Sequence, residues 1–174
     1  MIDRNMGTVY WITGLAGAGK TTIGKLLYEK IKEQNLNTVF LDGDMLRKVF
    51  GDDLGYTKED RRKCAMRYSR LCAMLQEQGM NVICCTISMF DSVREWNREN
   101  IPDYKEIYLK VSMETLRVRN QKGLYGDLTA KKQKDIVGID IEIETPKCPD
   151  LVLVNDAGRT PDVQIEEILR YCTN

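Results

Sequence analysis

The 174-residue chain contains no histidine. That absence removes the mechanisms that need an imidazole: Ser-His-Asp and Cys-His hydrolysis, and zinc held by histidine. There is no surplus of charge, because 26 Lys+Arg offset 26 Asp+Glu. A general nucleic-acid or anionic-membrane binder carries a basic excess, so neither partner is expected. No apolar run approaches the roughly 20 residues that cross a bilayer, and Met1-Ile2-Asp3-Arg4-Asn5 is too polar for a signal peptide. The six cysteines (Cys64, Cys72, Cys84, Cys85, Cys148, Cys172) include no C-x-x-C pair, which excludes zinc-ribbon and thioredoxin spacings. Cys84 and Cys85 sit in an apolar run and are expected in or near the core. A reducing, cytoplasmic compartment is expected. What remains is ordinary soluble composition, 43% hydrophobic and 30% charged. It fits a single domain over residues 1–174, large enough to bury a core without a disulfide or metal staple.

Apolar β-rich runs and amphipathic helical stretches alternate along the chain. Strands are expected at Thr8–Thr13, Thr38–Leu41, Asn81–Ile87, Glu106–Val111 and Leu151–Val154. Helices are expected at Lys20–Gln34, Lys58–Gln78, Val93–Glu99, Met113–Arg119 and Val163–Tyr171. Gly123–Gly138 is polar and basic, and its Lys131, Lys132 and Lys134 are expected to be solvated surface. Near-continuous apolar strands between helices predict an α/β fold, a doubly wound five-stranded parallel sheet covered on both faces. Ligands of such sheets bind beyond the carboxyl ends of the strands, where the motifs below fall.

Gly14-Leu15-Ala16-Gly17-Ala18-Gly19-Lys20-Thr21 satisfies G-x-x-x-x-G-K-[ST], with a strand before it and an amphipathic helix after it. The glycines let the backbone curl so that its N–H groups point inward at phosphate oxygens. The helix start adds partial positive charge. Lys20 is expected to reach the β- and γ-phosphates of ATP, and the Thr21 hydroxyl to ligate Mg²⁺; Thr22 completes the loop. No N-K-x-D guanine-reading motif occurs. The acidic feature is Asp42-Gly43-Asp44, directly after the second strand. A carboxylate there can face the γ-phosphate, where an acceptor hydroxyl must lose its proton. The same spacing fits a strand-end turn in which Asp44 caps a helix, and spacing alone leaves both readings open.

Further along stand Asp42–Arg47, Leu54-Gly55-Tyr56, Glu59-Asp60-Arg61, Ile87-Ser88, Lys122-Gly123-Leu124-Tyr125 and Gly138-Ile139-Asp140. With these motifs in this order, the sequence from about Val9 to Asn155 resembles the adenylylsulfate (APS) kinase family. The resemblance implies a P-loop kinase fold, usually dimeric, that moves the ATP γ-phosphate to the 3′-hydroxyl of a nucleotide conjugate with Mg²⁺. It implies that Gly14–Thr21 hold ATP and that Asp44 faces the acceptor hydroxyl with Asp42 beside it. Arg47 and Arg61 take the place of acceptor-phosphate ligands, for which guanidinium forks suit better than ammonium groups. Tyr56 stands where the family stacks an aromatic on the acceptor base. Ile87 and Ser88 line the acceptor site. Ser88 also falls at a position cast as catalytic, although in-line transfer needs no phosphorylated serine. Arg119, Lys122, Gly123 and Leu124 belong to a segment, about 119–140, that resembles a mobile lid closing over the phosphates.

The sequence departs from the family pattern on the acceptor side. Met45 replaces the Asn of D-G-D-N, Cys64 an Asn after E-D-R, Met89 the Pro of I-S-P, and Ile136 a lid Phe that forms the second face of an adenine sandwich. Base–aromatic stacking is worth about 1–3 kcal/mol per base, so losing one face suits a smaller pyrimidine better than a purine. The chain thus resembles the branch of capsule-pathway kinases that phosphorylate cytidine diphosphoramidate; the alternative acceptor is APS itself. A nucleotide-binding regulatory subunit without catalysis, and a piece of a fused sulfurylase–kinase, are the rival readings. Retention of Asp44, Arg47, Arg61 and Lys122 counts against the first.

Overall fold

In the computed structural model the described residues are 6–51, 53–119, 137–139, 141–156 and 158–173. Five parallel strands, β1 (Val9–Thr13), β2 (Thr38–Asp42), β3 (Asn81–Thr86), β4 (Tyr104–Lys110) and β5 (Leu151–Val154), form one sheet in the order β2-β3-β1-β4-β5. The helices are α1 (Lys20–Gln34), α2 (Gly43–Phe50), α3 (Lys58–Glu77), α4 (Asp91–Asn100), α5 (Met113–Arg119) and α6 (Pro161–Thr173).

The alternation of side chains along each strand divides the core into two layers. Val9, Trp11, Val82 and Cys84 point into the layer beneath α3 and α4, with Ala65, Tyr68, Cys72 and Val93. Tyr10, Ile12, Ile83, Cys85, Ile107 and Leu109 point into the opposite layer beneath α1 and α6, with Ile23, Leu27, Ile165 and Ile168. Both faces being covered explains why the central strands β1 and β3 are apolar almost throughout. Each large apolar side chain buried this way contributes about 1.5–3 kcal/mol.

After β1 the chain crosses to β2 on one side, and it later adds β4 and β5 on the other. The carboxyl end of β1 is therefore the point where strand order reverses, the usual ligand crevice of an open α/β sheet. The glycine-rich loop occupies that point.

Helix α1 spans the residues expected from its periodicity. Helix α3 does so to within one residue, because Thr57 caps it by accepting from the Asp60 amide at 3.2 Å and donating to Asp60 Oδ2 at 2.8 Å. Helix α2 is absent from the expectations. It has eight residues and opens on a glycine, and its cap is Asp42, whose Oδ1 accepts from the Asp44 amide at 3.0 Å. Asp42, not Asp44, is thus the helix cap of the acidic turn. Strand β3 stops at Thr86 rather than Ile87, because the chain turns away there. The Ile87 carbonyl accepts from Thr13 Oγ1, and Ser88 takes a positive φ of 28°. Helix α4 starts two residues earlier than expected. The Asp91 amide donates to Glu144 Oε2 at 2.6 Å, a cap supplied from 53 residues away that no local pattern reveals.

Candidate active site

The loop between β1 and α1 makes the first half of the site. Gly19 has φ 96°, and a Cβ on it would lie 2.6 Å from Asn155 Nδ2; a Cβ on Gly14 would lie 2.6 Å from the Leu109 carbonyl oxygen. Glycine is required at both positions. Helix α1 begins immediately afterwards with no side-chain cap among the described residues, so its first N–H groups face the crevice and suit an anion. Ala16, Gly17, Gly19, Lys20, Thr21 and Thr22 line this cleft together with Asp42 and Asp44. Lys20 Nζ donates to the Leu15 carbonyl at 2.7 Å, which folds its ammonium back over the loop. The Thr21 hydroxyl donates to Asp42 Oδ2 at 2.8 Å. One hydroxyl and one carboxylate oxygen therefore sit together at the cleft, hard donors of the kind Mg²⁺ takes beside nucleotide phosphates.

Three expected loop residues do not line the cleft. Leu15 is buried against Met89, Leu116, Val137 and Ile141, and Ala18 is buried in the α1–α6 layer. Gly14, tight against β4, also lies off the lining. These residues shape the loop rather than face a ligand with side chains.

A second cleft adjoins the first. It is lined by Asp44 and Arg47 of α2, Arg61, Cys64 and Tyr68 of α3, and Ser88, Met89 and Phe90 after β3. Arg47 Nη1 donates to the Leu54 and Gly55 carbonyls, both at 2.9 Å, and Arg61 Nε donates to the Tyr56 carbonyl at 2.9 Å. Both guanidiniums also lie over the Tyr56 ring, 4.4 and 5.2 Å from its centre. Tyr56 is 55% exposed and lies outside the cleft lining. The 54–56 loop and the two arginines thus make one prearranged unit. Tyr68 anchors α3 to the start of α2 by donating to the Gly43 carbonyl at 3.2 Å, and burial pushes its phenol well above the ordinary value. It stays a neutral donor at any working pH.

The two clefts share Gly43, Asp44, Thr86 and Ile87. Asp44 therefore stands at the boundary between a phosphate-binding loop and an arginine-lined pocket. Ser88 lies on the second side, its hydroxyl 2.6 Å from that of Thr86.

Residues 6–154 match the family model described as adenylylsulphate kinase. The chain belongs to the adenylylsulphate kinase family. A cytidine diphosphoramidate kinase of Campylobacter jejuni is 40% identical over 96% of this chain and 97% of its own. An adenylyl-sulfate kinase of Halothermothrix orenii is 34% identical over 95% of this chain and 89% of its own. The solved structure of the Mycobacterium tuberculosis APS kinase in complex with AMPPNP and APS superposes with a TM-score of 0.89 at 31% identity, over 97% of this chain and 99% of that one. Shikimate kinase of Aquifex aeolicus shares only the fold, with a TM-score of 0.59 at 16% identity. The α/β P-loop kinase fold and the phosphotransferase class expected from the motifs are thereby established.

As in any P-loop kinase, the loop has to be held rigidly, and here a residue that sequence reasoning missed does much of that. Asn155, just past β5, donates from Nδ2 to the Ala18 carbonyl at 2.7 Å and accepts at Oδ1 from the fully buried Gln164 at 3.0 Å. Its own carbonyl accepts from Arg119 Nη2 at 2.7 Å, and Arg119 Nη1 reaches the Gly17 carbonyl at 3.3 Å. Arg119, expected at the nucleotide, is therefore tied to the loop. Cys85 supports the same loop from below, with Sγ donating to the Lys20 carbonyl at 3.2 Å; burial pushes its thiol up to about 12. Lys122, Gly123, Leu124 and Ile136, and most of the expected 119–140 lid, lie outside the described residues. Of the departures from the family pattern, Cys64 and Met89 line the second cleft, whereas Met45 is exposed.

Proposed function

We propose that this kinase transfers the γ-phosphate of ATP to the ribose 3′-hydroxyl of a nucleotide conjugate, with cytidine diphosphoramidate as the acceptor. The observation that carries the reading is the shared wall of the two clefts. A triphosphate in the glycine-rich loop and an anionic nucleotide between Arg47 and Arg61 would meet across Asp44. Phosphoryl transfer asks the protein mainly for positioning and charge stabilisation, and the residues fall into those roles. The loop amides and Lys20 hold the β- and γ-phosphates. Thr21 and Asp42 would hold Mg²⁺, which supplies charge neutralisation between those phosphates when bound. Arg47, Arg61 and Ser88 bind the acceptor's phosphate oxygens, and Asp44 orients its hydroxyl and takes the proton as the oxygen–phosphorus bond forms. The bond from the γ-phosphorus to the β,γ-bridging oxygen breaks, and ADP leaves.

The choice of acceptor is supported by the identity to the Campylobacter enzyme, 40% against 34% for the Halothermothrix adenylyl-sulfate kinase. It is supported too by Cys64, a thiol without amide hydrogen-bonding capacity in the wall of the acceptor cleft. APS is the second reading, favoured by the match to the Mycobacterium APS complex. No described helix is long and apolar enough to cross a membrane, and all six cysteines are free thiols; both suit a cytoplasmic enzyme. The family resemblance suggests a homodimer, which light scattering would check. Incubation with Mg-ATP and each acceptor tests the function. Faster phosphorylation of cytidine diphosphoramidate is expected, equal or faster turnover of APS would reassign the acceptor, and ATP binding without transfer to either would refute the kinase reading.

A further inference from the structure

Thr86 ends β3 at the wall common to both clefts, and the roles above leave it none. Thr86 is 5% exposed and Ser88 8%. Their hydroxyl oxygens are 2.6 Å apart, a short hydrogen bond in which either oxygen can donate. Only Thr86 of the pair touches both sides of the site. It lines the phosphate cleft, whereas Ser88 lines the acceptor cleft alone. Thr86 also adjoins the acidic turn, since a Cβ on Gly43 would lie 3.4 Å from Thr86 Oγ1. Ser88 itself has φ 28°, a left-handed conformation that is strained for a non-glycine residue and that clusters at ligand clamps. The Thr13 hydroxyl steadies this turn at the Ile87 carbonyl.

An anionic oxygen offers only acceptor sites. When one occupies the arginine-lined cleft it selects a single direction for the hydroxyl pair. Thr86 must donate to Ser88, so that the Ser88 proton is released toward the ligand. The second bond is strengthened by the first, as in any polarised chain in a low-dielectric site. We propose that Thr86 is a positioning residue for the acceptor: its hydroxyl fixes Ser88 Oγ and directs the Ser88 proton to an anionic oxygen of the bound nucleotide. This rests on the reading of the second cleft as the acceptor site, and it assigns to Thr86 no contact with the transferred phosphoryl group.

The test compares wild type with Thr86→Val, Thr86→Ser, Ser88→Ala and the Thr86→Val/Ser88→Ala double variant. Thr86→Val is expected to lower kcat/KM for the acceptor about ten- to hundredfold, the range for leaving a buried polar group, here Ser88 Oγ, without its hydrogen-bond partner, while KM for ATP stays unchanged. Thr86→Ser should restore activity to within about threefold, since it keeps the hydroxyl. The double variant should be no worse than Ser88→Ala, because the two hydroxyls act as one unit. Three results would overturn the proposal: an unchanged acceptor kcat/KM, a parallel rise in KM for ATP, or multiplicative losses in the double variant. Should Thr86→Val not fold, Thr86→Cys, close in size but a weak donor, takes its place with the same expectations. If wild type phosphorylates no nucleotide, the functional reading fails separately. The affinity of CDP for wild type and Thr86→Val, measured by calorimetry, then decides. A drop of about tenfold or more supports the positioning role, and equal affinities overturn it.

Discussion

Replacing Asn155 with alanine removes two hydrogen bonds at once and isolates what braces the phosphate loop. The Ala18 carbonyl loses its donor at 2.7 Å, and Gln164 Nε2 loses its acceptor at 3.0 Å. Ala18 and Gln164 are both fully buried; the Ala18 carbonyl left without this donor costs about 1–3 kcal/mol, while Gln164 Nε2 keeps a longer bond to the Val154 carbonyl at 3.5 Å. Water can enter beside the loop and satisfy part of this, so a net loss of about 2 kcal/mol is expected. For a domain of this size that lowers Tm by roughly 4–8 °C. The effect on function should be larger. A loop displaced by about 1 Å can cost about a hundredfold in rate, and the Arg119 tie to the Asn155 carbonyl shifts with it. The assay pairs thermal denaturation, with and without a non-hydrolysable ATP analogue, with the steady-state KM for ATP. A raised KM and a smaller stabilisation by the analogue are expected. Asn155→Asp should harm the loop more than alanine, because it sets a carboxylate against the Ala18 carbonyl. Wild-type Tm together with wild-type ATP kinetics in Asn155→Ala would refute the bracing argument.

Lys20→Ala should abolish measurable transfer by removing the ammonium that stabilises the phosphates; near-normal turnover would exclude its phosphate role. Asp44→Asn should retain ATP affinity and lower kcat by about 100- to 10,000-fold, the range for general base catalysis; an unchanged kcat would remove Asp44 from the chemistry. Arg61→Ala should raise the acceptor KM and loosen the 54–56 loop through loss of the bond to the Tyr56 carbonyl, with KM for ATP unaffected. Glu106, 2% exposed, is held by burial above the ordinary 4.5, while Arg94 and Arg98 pull it back. The native state therefore binds this proton more tightly than the unfolded chain does. Relative to Glu106→Gln, wild type should lose stability as pH rises from 4.5 through the raised native value. Urea unfolding of both proteins across that range checks the sign; a wild-type stability that rises with pH relative to Glu106→Gln would contradict it.

The sheet and the loop were legible because their signals are local. The glycines, Lys20 and Thr21 stand in one stretch, and the strands are buried on both faces, so hydrophobicity alone marks them. Cys84 and Cys85 fall in the core for the same reason, one into each layer. The acidic turn was legible in composition but not in detail. Asp42 and Asp44 have the same side chain two residues apart, and only the Asp42 contacts with Thr21 and the Asp44 amide separate a cap from a residue facing the second cleft. Asn155 carried no signal at all, because its partner Ala18 lies 137 residues away in the chain. Thr86 was hidden inside an apolar strand, where a threonine usually means only β propensity. Tyr56 illustrates the reverse. Its sequence position was read as a stacking platform for a base, whereas the structure adds that two guanidiniums already lie over the ring.

The central claim is that a phosphate and a sugar hydroxyl meet across Asp44. Its most direct test is a structure of the protein with AMPPNP and cytidine diphosphoramidate both bound. The account predicts the 3′-oxygen within about 3–3.5 Å of the γ-phosphorus, in line with the bond that breaks, and next to the Asp44 carboxylate. An acceptor seated in the arginine-lined cleft with no hydroxyl able to approach that phosphorus would contradict it.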